Sequence, residues 1–200
     1  MKVLLLGVPE PKIDFALNKA GDTGSWWDRK LNVSEVMGER FDFLVSYRYR
    51  YILREDILSQ FPTRAINLHC SFLPWNRGAD PNFWSFFDNT PKGVSIHHLD
   101  SGIDTGPVLV QKEIRFLEGE SLKTSYGALQ LLLLDLFENN WSSIRTGHLS
   151  AQNQEGVGTC HRLRDLDPHR ALLGEKGWDT PVTVVENYGR RFRKGLARST

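Results

Sequence analysis

Short apolar blocks punctuated by glycine and proline fill the first half of the chain, and a stripe of leucines at helical spacing follows them. Residues 2–6 read as a first, central strand ending at Gly7, and residues 41–47 as a second that residues 48–53 extend. Residues 65–70 give a third strand, and residues 93–99 and 108–114 two more, with incomplete polar alternation as expected where a sheet is covered on both faces. Between them the spacing predicts short helices over 13–17, near Asn32, over 54–60 until Pro62 stops it, and over 82–88 behind Pro81. Residues 21–30 read as a polar turn around Trp26 and Trp27. Leu122, Tyr126, Leu129, Leu133, Leu136 and Phe137 then recur on one face up to Trp141, the strongest helical signal. Residues 182–188 read as a last strand or extended arm, and residues 190–194 as a basic, frayed end. Strands alternating with helices define an α/β chain with a mostly parallel sheet.

Two hundred residues suffice for one sizeable core. The pattern places a core over 1–150 and an extension packed on it over 151–200. With 25 basic and 24 acidic residues no global field recruits nucleic acid or a membrane. No apolar run approaches the roughly 20 residues of a membrane span. The start lacks a signal-type apolar run, and a cytoplasmic protein is expected. A homodimer is left open. Cys70 and Cys160 suggest no disulfide framework. Cys70 is a nucleophile candidate by its position, but alternation turns it from the polar side chains beside it, and packing is the expected role.

The chemistry concentrates between residues 67 and 106. If residues 65–69 are a strand, Asn67 and His69 share a face, and Asp104, in a Ser-Gly-Ile-Asp-Thr-Gly loop, can reach the same space. Amide, imidazole and carboxylate supply a donor for developing negative charge, a proton carrier, and a group that fixes that carrier. The set suits attack on a carbonyl without a protein nucleophile. Adjacent in a strand, His97 and His98 face opposite ways, so at most one joins His69 and Asp104 toward a metal; no metal site is expected. Elsewhere the Gly7 to Pro11 loop lacks a dinucleotide fingerprint. The Arg-Tyr alternation at 48–51 is too short to argue for nucleic acid.

The same stretch resembles the catalytic segment of the folate-dependent formyltransferases. Asn67, His69, Ser71, Leu73 and Pro74 match the family's Asn-x-His-x-Ser-x-Leu-Pro element, Gly93 to Ile96 its Gly-Val-Thr-Ile element, and Gly102, Asp104, Thr105 and Gly106 its acidic loop. The Leu-Pro-Trp-Asn-Arg-Gly-Ala turn is closer to the methionyl-tRNA and nucleotide-sugar branches than to the glycinamide ribonucleotide branch. The resemblance implies a Rossmann-like catalytic domain and N10-formyltetrahydrofolate as formyl donor. It makes Asn67, His69 and Asp104 catalytic, supported by Ser71, His97, Thr105 and Gly106. Tyr49, Tyr51, Ile52, Leu73, Pro74 and Gly102 are then expected at the folate, with Arg48 standing where relatives often carry glycine. Gly7, Pro9, Arg77, His161 and Arg162 are expected at the acceptor, a small-molecule primary amine, foremost a nucleotide-linked 4-amino-4,6-dideoxysugar. Glycinamide ribonucleotide transfer, formyl-folate hydrolysis and a non-catalytic nucleotide-binding domain stay open as alternatives.

Overall fold

Val3, Leu4, Leu5 and Leu6 set apolar side chains on both faces of the first strand, and all four are fully buried. That composition belongs to a strand in the middle of a sheet covered on both sides. In the computed structural model, which describes residues 1–116 and 118–196, this strand is β1 (Lys2–Gly7). After it come α1 (Pro11–Lys19), β2 (Thr23–Trp27), α2 (Val33–Glu39), β3 (Phe43–Tyr47), α3 (Glu55–Leu58) and β4 (Ala65–His69). The chain continues through β5 (Arg77–Gly78), α4 (Pro81–Phe87), β6 (Gly93–His98), β7 (Val108–Glu113), α5 (Leu122–Arg145), β8 (Cys160–His161), two 3-10 turns and α6 (Val182–Leu196). Six strands form one sheet in the order β2-β1-β3-β4-β6-β7. The pairings β1–β2, β1–β3 and β3–β4 are parallel, and β4–β6 is antiparallel. The expected α/β fold with a mostly parallel sheet is therefore the fold.

The chain divides into two compact units built from alternating segments. The first comprises Met1–His69, Ser95–Gln111 and Leu133–Gln154, and the second Cys70–Val94, Lys112–Leu132 and the chain from Glu155 onward. In the first unit Leu4, Leu6, Leu44, Ala65, Val36, Ile57, Leu58 and Phe61 make one buried cluster. Asp22 is also buried in this unit and receives bonds from Trp141 Nε1 at 3.0 Å and an Arg145 guanidinium nitrogen at 2.8 Å. In the second unit Phe83, Trp84, Phe86 and Phe87 of α4 pack with Leu122, Leu166, Val182 and Val185, the core role expected of these aromatics. Among the described residues no helix is long and apolar enough to cross a membrane.

Three local expectations are corrected. The polar turn at 21–30 contains a strand instead, because β2 lies at the sheet edge and needs pairing on one side only. Trp26 Nε1 there donates to Asp14 at 2.9 Å, and Trp27 packs edge-on against Phe41. Residues 48–53 do not extend β3, since Arg48 takes a φ of 57° and ends the strand. That left-handed backbone is the conformation a glycine would adopt most readily. Residues 182–188 are helical, and the basic residues 190–194 continue α6 rather than fraying. Val182, Val185, Tyr188 and Phe192 recur on one face, and Phe87 meets Tyr188 and Phe192 at ring distances of 5.9 and 5.5 Å. Packing of that face outweighs the strand preference of three valines and a threonine. Residues 197–200 lie outside the described residues.

Candidate active site

Sheet register builds the site. Parallel pairing sets Ser46 of β3 beside Asn67 of β4, and the antiparallel pairing sets Asn67 opposite His97 and His69 opposite Ser95. Opposed residues share a face, so Ser46, Asn67 and His97 form a polar row across three strands, with His69 one step along. Ser46, His69, Ser95 and His97 are all buried. This row interrupts an otherwise apolar sheet, and such an interruption is stable only when its members bond one another.

Asp104 completes the cluster from the loop between β6 and β7. Its Oδ1 accepts from Asn67 Nδ2 at 3.1 Å and stands 3.4 Å from His97 Nε2, and its Oδ2 lies 3.7 Å from His69 Nε2. His97 Nδ1 lies 2.8 Å from the His98 carbonyl oxygen. A carbonyl only accepts, so His97 donates from Nδ1, and in the neutral ring Nε2 is then left to accept. The second hydrogen of the Asn67 amide faces that Nε2 at 3.4 Å. One amide thus joins carboxylate and imidazole, and fixes its own orientation by doing so.

The acidic loop is held in an unusual conformation. Asp104 has a φ of 51°, a region that disfavours residues other than glycine. Asp100 Oδ1 accepts from the Gly102 amide at 3.0 Å and from the Thr105 hydroxyl at 2.8 Å. Gly106 passes so close to β6 that a Cβ would sit 1.9 Å from the His98 carbonyl oxygen. From a distant segment, Gln154 Nε2 donates to both the Asp104 and Gly106 carbonyls at 2.8 Å. Neither Asp100 nor Gln154 was named from sequence. The Asp-x-Gly spacing hints at the first as a side-chain turn, and the polar stretch around Gln154 carries no local signal. His98, on the opposite face from His97, has its pKa lowered, chiefly because burial disfavours the charged ring.

The remaining expected residues fall in both units. In the first, Gly7 ends β1 with a φ of 109°, and a Cβ there would lie 1.9 Å from the Tyr47 carbonyl oxygen. Pro9 is exposed next to it. Past the end of β3, Tyr49 donates its hydroxyl to the Arg29 carbonyl and meets Tyr51 edge-on at 5.3 Å. Ile52 is 80% exposed, an unusual setting for so apolar a side chain.

In the second unit Leu73 and Ser71 are buried, and a cis peptide joins Leu73 to Pro74. Asn76, fully buried, donates to Thr90 Oγ1 at 2.8 Å. Arg77 and Gly78 pair in parallel with Cys160 and His161, which brings two of the expected acceptor residues onto one ribbon. His161 stacks on Trp84 with centroids 3.8 Å apart and places Nε2 2.7 Å from Asp88. Arg162 is exposed at the start of the following 3-10 turn. Cys70 is buried and accepts from Gln130 at 2.7 Å. Among the described residues no three His, Cys, Asp or Glu side chains are placed to hold a metal ion.

This arrangement of a carboxylate, two imidazoles and an amide on the face of a mostly parallel sheet has counterparts among known proteins. The family model for formyl transferases matches residues 22–132, more than half of the chain. The chain belongs to the formyl transferase family. It is similar to the formyltransferase PseJ from Anoxybacillus kamchatkensis, solved in complex with UDP-4,6-dideoxy-4-formamido-L-AltNAc and tetrahydrofolate. The two share 41% identity and superpose with a TM-score of 0.90 over 94% of this chain and 100% of that one. The dTDP-4-amino-4,6-dideoxyglucose formyltransferase of Mycobacterium tuberculosis is 29% identical over 146 residues, 72% of this chain and 61% of that protein. A methionyl-tRNA formyltransferase from Thermodesulfovibrio yellowstonii is 33% identical over 148 residues, 73% of this chain and 46% of that protein. The chain thus spans about three fifths or less of the length of these two curated relatives.

Proposed function

We propose that this protein transfers a formyl group from N10-formyltetrahydrofolate to the 4-amino group of a nucleotide-linked 4-amino-4,6-dideoxysugar, with UDP as the nucleotide. The observation that carries the reading is Asp104 held among Asn67, His69 and His97, its two oxygens divided between amide and imidazole. The 41% identity to PseJ, whose complex contains a UDP-linked 4-formamido sugar and tetrahydrofolate, supports the choice of acceptor and donor.

Formyl-folate supplies an activated one-carbon unit when bound. Exposed Ile52 and Tyr51 fit an apolar ring system, and the backbone around Gly102 offers polar groups to orient it. Transfer forms a bond from the amine nitrogen to the formyl carbon and breaks the bond from that carbon to N10, while one proton leaves the amine and one reaches N10. His69 carries that proton. Its ring is 3.7 Å from Asp104 Oδ2, too far for a direct bond and suited to a water between them. A protonated His69 donates toward the developing oxyanion, joined by the second Asn67 hydrogen, which turns to it from its long 3.4 Å contact with His97. A preorganised donor of this kind contributes about 3 kcal/mol to a transition state. Asp104 holds the amide and keeps a negative charge beside the imidazole as it becomes cationic.

The test is direct. Purified protein is incubated with formyl-folate and UDP- or dTDP-linked 4-amino-4,6-dideoxysugars, glycinamide ribonucleotide, or water alone, and product mass and folate absorbance are followed. A product heavier by one formyl group from the UDP-sugar, lost in His69→Ala with the fold retained, is the expected result. Formylation of glycinamide ribonucleotide in preference, or release of formate alone, overturns the proposal.

A further inference from the structure

We infer that Gln154 is a positioning residue for this reaction: its side-chain amide clamps the backbone on both sides of Thr105 and so sets where the Asp104 carboxylate stands. The inference rests on the reading of the site as a formyl-transfer centre. Gln154 Nε2 has two hydrogens, and the Asp104 and Gly106 carbonyls lie 2.8 Å from it. Both hydrogens are therefore spent on one turn of backbone. That turn needs holding, because Asp104 adopts a φ of 51°, a conformation costing about 1–2 kcal/mol for a residue with a Cβ. The Asp100 contacts tie Gly102 to Thr105 within the loop. Gln154 supplies an anchor for the loop backbone from a distant segment, and its own place is set two residues earlier, where Gln152 and Val108 exchange backbone bonds of 2.8 Å in both directions.

The geometry sharpens the consequence. Asp104 meets Asn67 at 3.1 Å and His69 at 3.7 Å, so a shift of under 1 Å decides whether the carboxylate still orders the amide and neighbours the imidazole. Gln154 directs its amide hydrogens to backbone oxygens of the loop. Its loss should alter how fast bound reactants convert rather than how tightly they bind.

Two variants separate positioning from bulk stability. Gln154→Met keeps the length and removes both donors, and Gln154→Glu sets carboxylate oxygens against two carbonyls. Both are expected to lower kcat at least tenfold with either KM changed less than threefold, the second variant more severely, while Tm stays within about 3 °C of wild type in Gln154→Met. Imidazole 1H–15N correlations of His69 and His97 should move in Gln154→Met, with His148 and His169 as unmoved controls. Retention of kcat within twofold, a rise in KM in place of the kcat loss, or unmoved His69 and His97 signals overturns the inference. If the wild type formylates no acceptor, the functional reading fails, and the imidazole signals alone still decide whether Gln154 positions the cluster.

Discussion

Asn67→Asp changes one atom in the site and reverses its electrostatics. The amide nitrogen 3.1 Å from Asp104 Oδ1 becomes an oxygen. Two carboxylates at that separation repel by about 5 kcal/mol at an effective dielectric near 20. Asp104 is largely buried, its side chain 14% exposed, so solvent relieves little of this. The folded variant escapes more cheaply by retaining one proton, shared by the pair. At pH 7 that costs about 4 kcal/mol relative to an unfolded chain whose aspartates ionise near 3.9, and at pH 5 about 1.5 kcal/mol. The folded state then binds one more proton than the unfolded state, so the variant's stability falls as pH rises, by about 1.4 kcal/mol per unit. Urea unfolding of wild type and variant at pH 5, 6 and 7 measures the difference free of shared titrations. A destabilisation growing by about 2.7 kcal/mol from pH 5 to pH 7 is expected. A difference constant within about 0.5 kcal/mol over that range would refute the reasoning, since it would mean that residue 67 and Asp104 do not face each other at bonding distance. Activity should fall by about 10²–10³, the loss typical of a missing oxyanion donor.

Other perturbations test other parts. Gly106→Ala puts a Cβ 1.9 Å from the His98 carbonyl oxygen, so the acidic loop must move, and kcat should drop at least tenfold in a steady-state assay. Ile52→Trp should change urea stability by less than about 0.5 kcal/mol, because the site is exposed, yet weaken a non-transferable folate analogue at least fivefold in titration calorimetry. Burial lowers the His98 pKa, so the unfolded chain takes up a proton first as pH falls below the ordinary histidine value near 6.5. Stability is therefore complete above that pH and lost below it, and His98→Gln should flatten the decline measured from pH 7.5 to 5.5. Asp88→Asn weakens the 2.7 Å contact to His161 and should cost about 1–2 kcal/mol by denaturant unfolding.

What was legible in the sequence was whatever depended on a short window. Continuous apolar runs announced β1, β3 and β4, the leucine stripe announced α5, and Pro81 marked the start of α4. Asn67 and His69 followed from alternation alone, and Asp104 from the matched loop. The misses needed partners far along the chain. β2 has too few apolar residues to be found unless β1 is known to lie beside it. α6 carries strand-forming valines whose helical face has meaning only against the aromatics of α4. Gln154 contacts residues 48 and 50 positions away, and nothing next to it in sequence distinguishes it from any surface glutamine.

The reversal of strand direction explains why the site needs such a loop. Three parallel pairings would deliver each carboxyl end to one rim, as in other open α/β sheets. β6 instead runs antiparallel to β4, and its end pairs His98 with Ile66, one residue before Asn67 and three before His69. The chain therefore leaves β6 away from His69 and must turn back over the face to bring Asp104 there. A turn of that sharpness uses the left-handed conformation at Asp104 and the close passage of Gly106 under the His98 carbonyl. In exchange the antiparallel register sets His97 directly opposite Asn67, a placement that ties the amide to a second imidazole without help from any loop. Amide and imidazoles thus belong to the rigid sheet, and the carboxylate alone depends on a folded loop. Changes in the loop should then scale the rate through Asp104 while leaving the sheet-borne groups in place, whereas changes at Asn67 or His97 act on both.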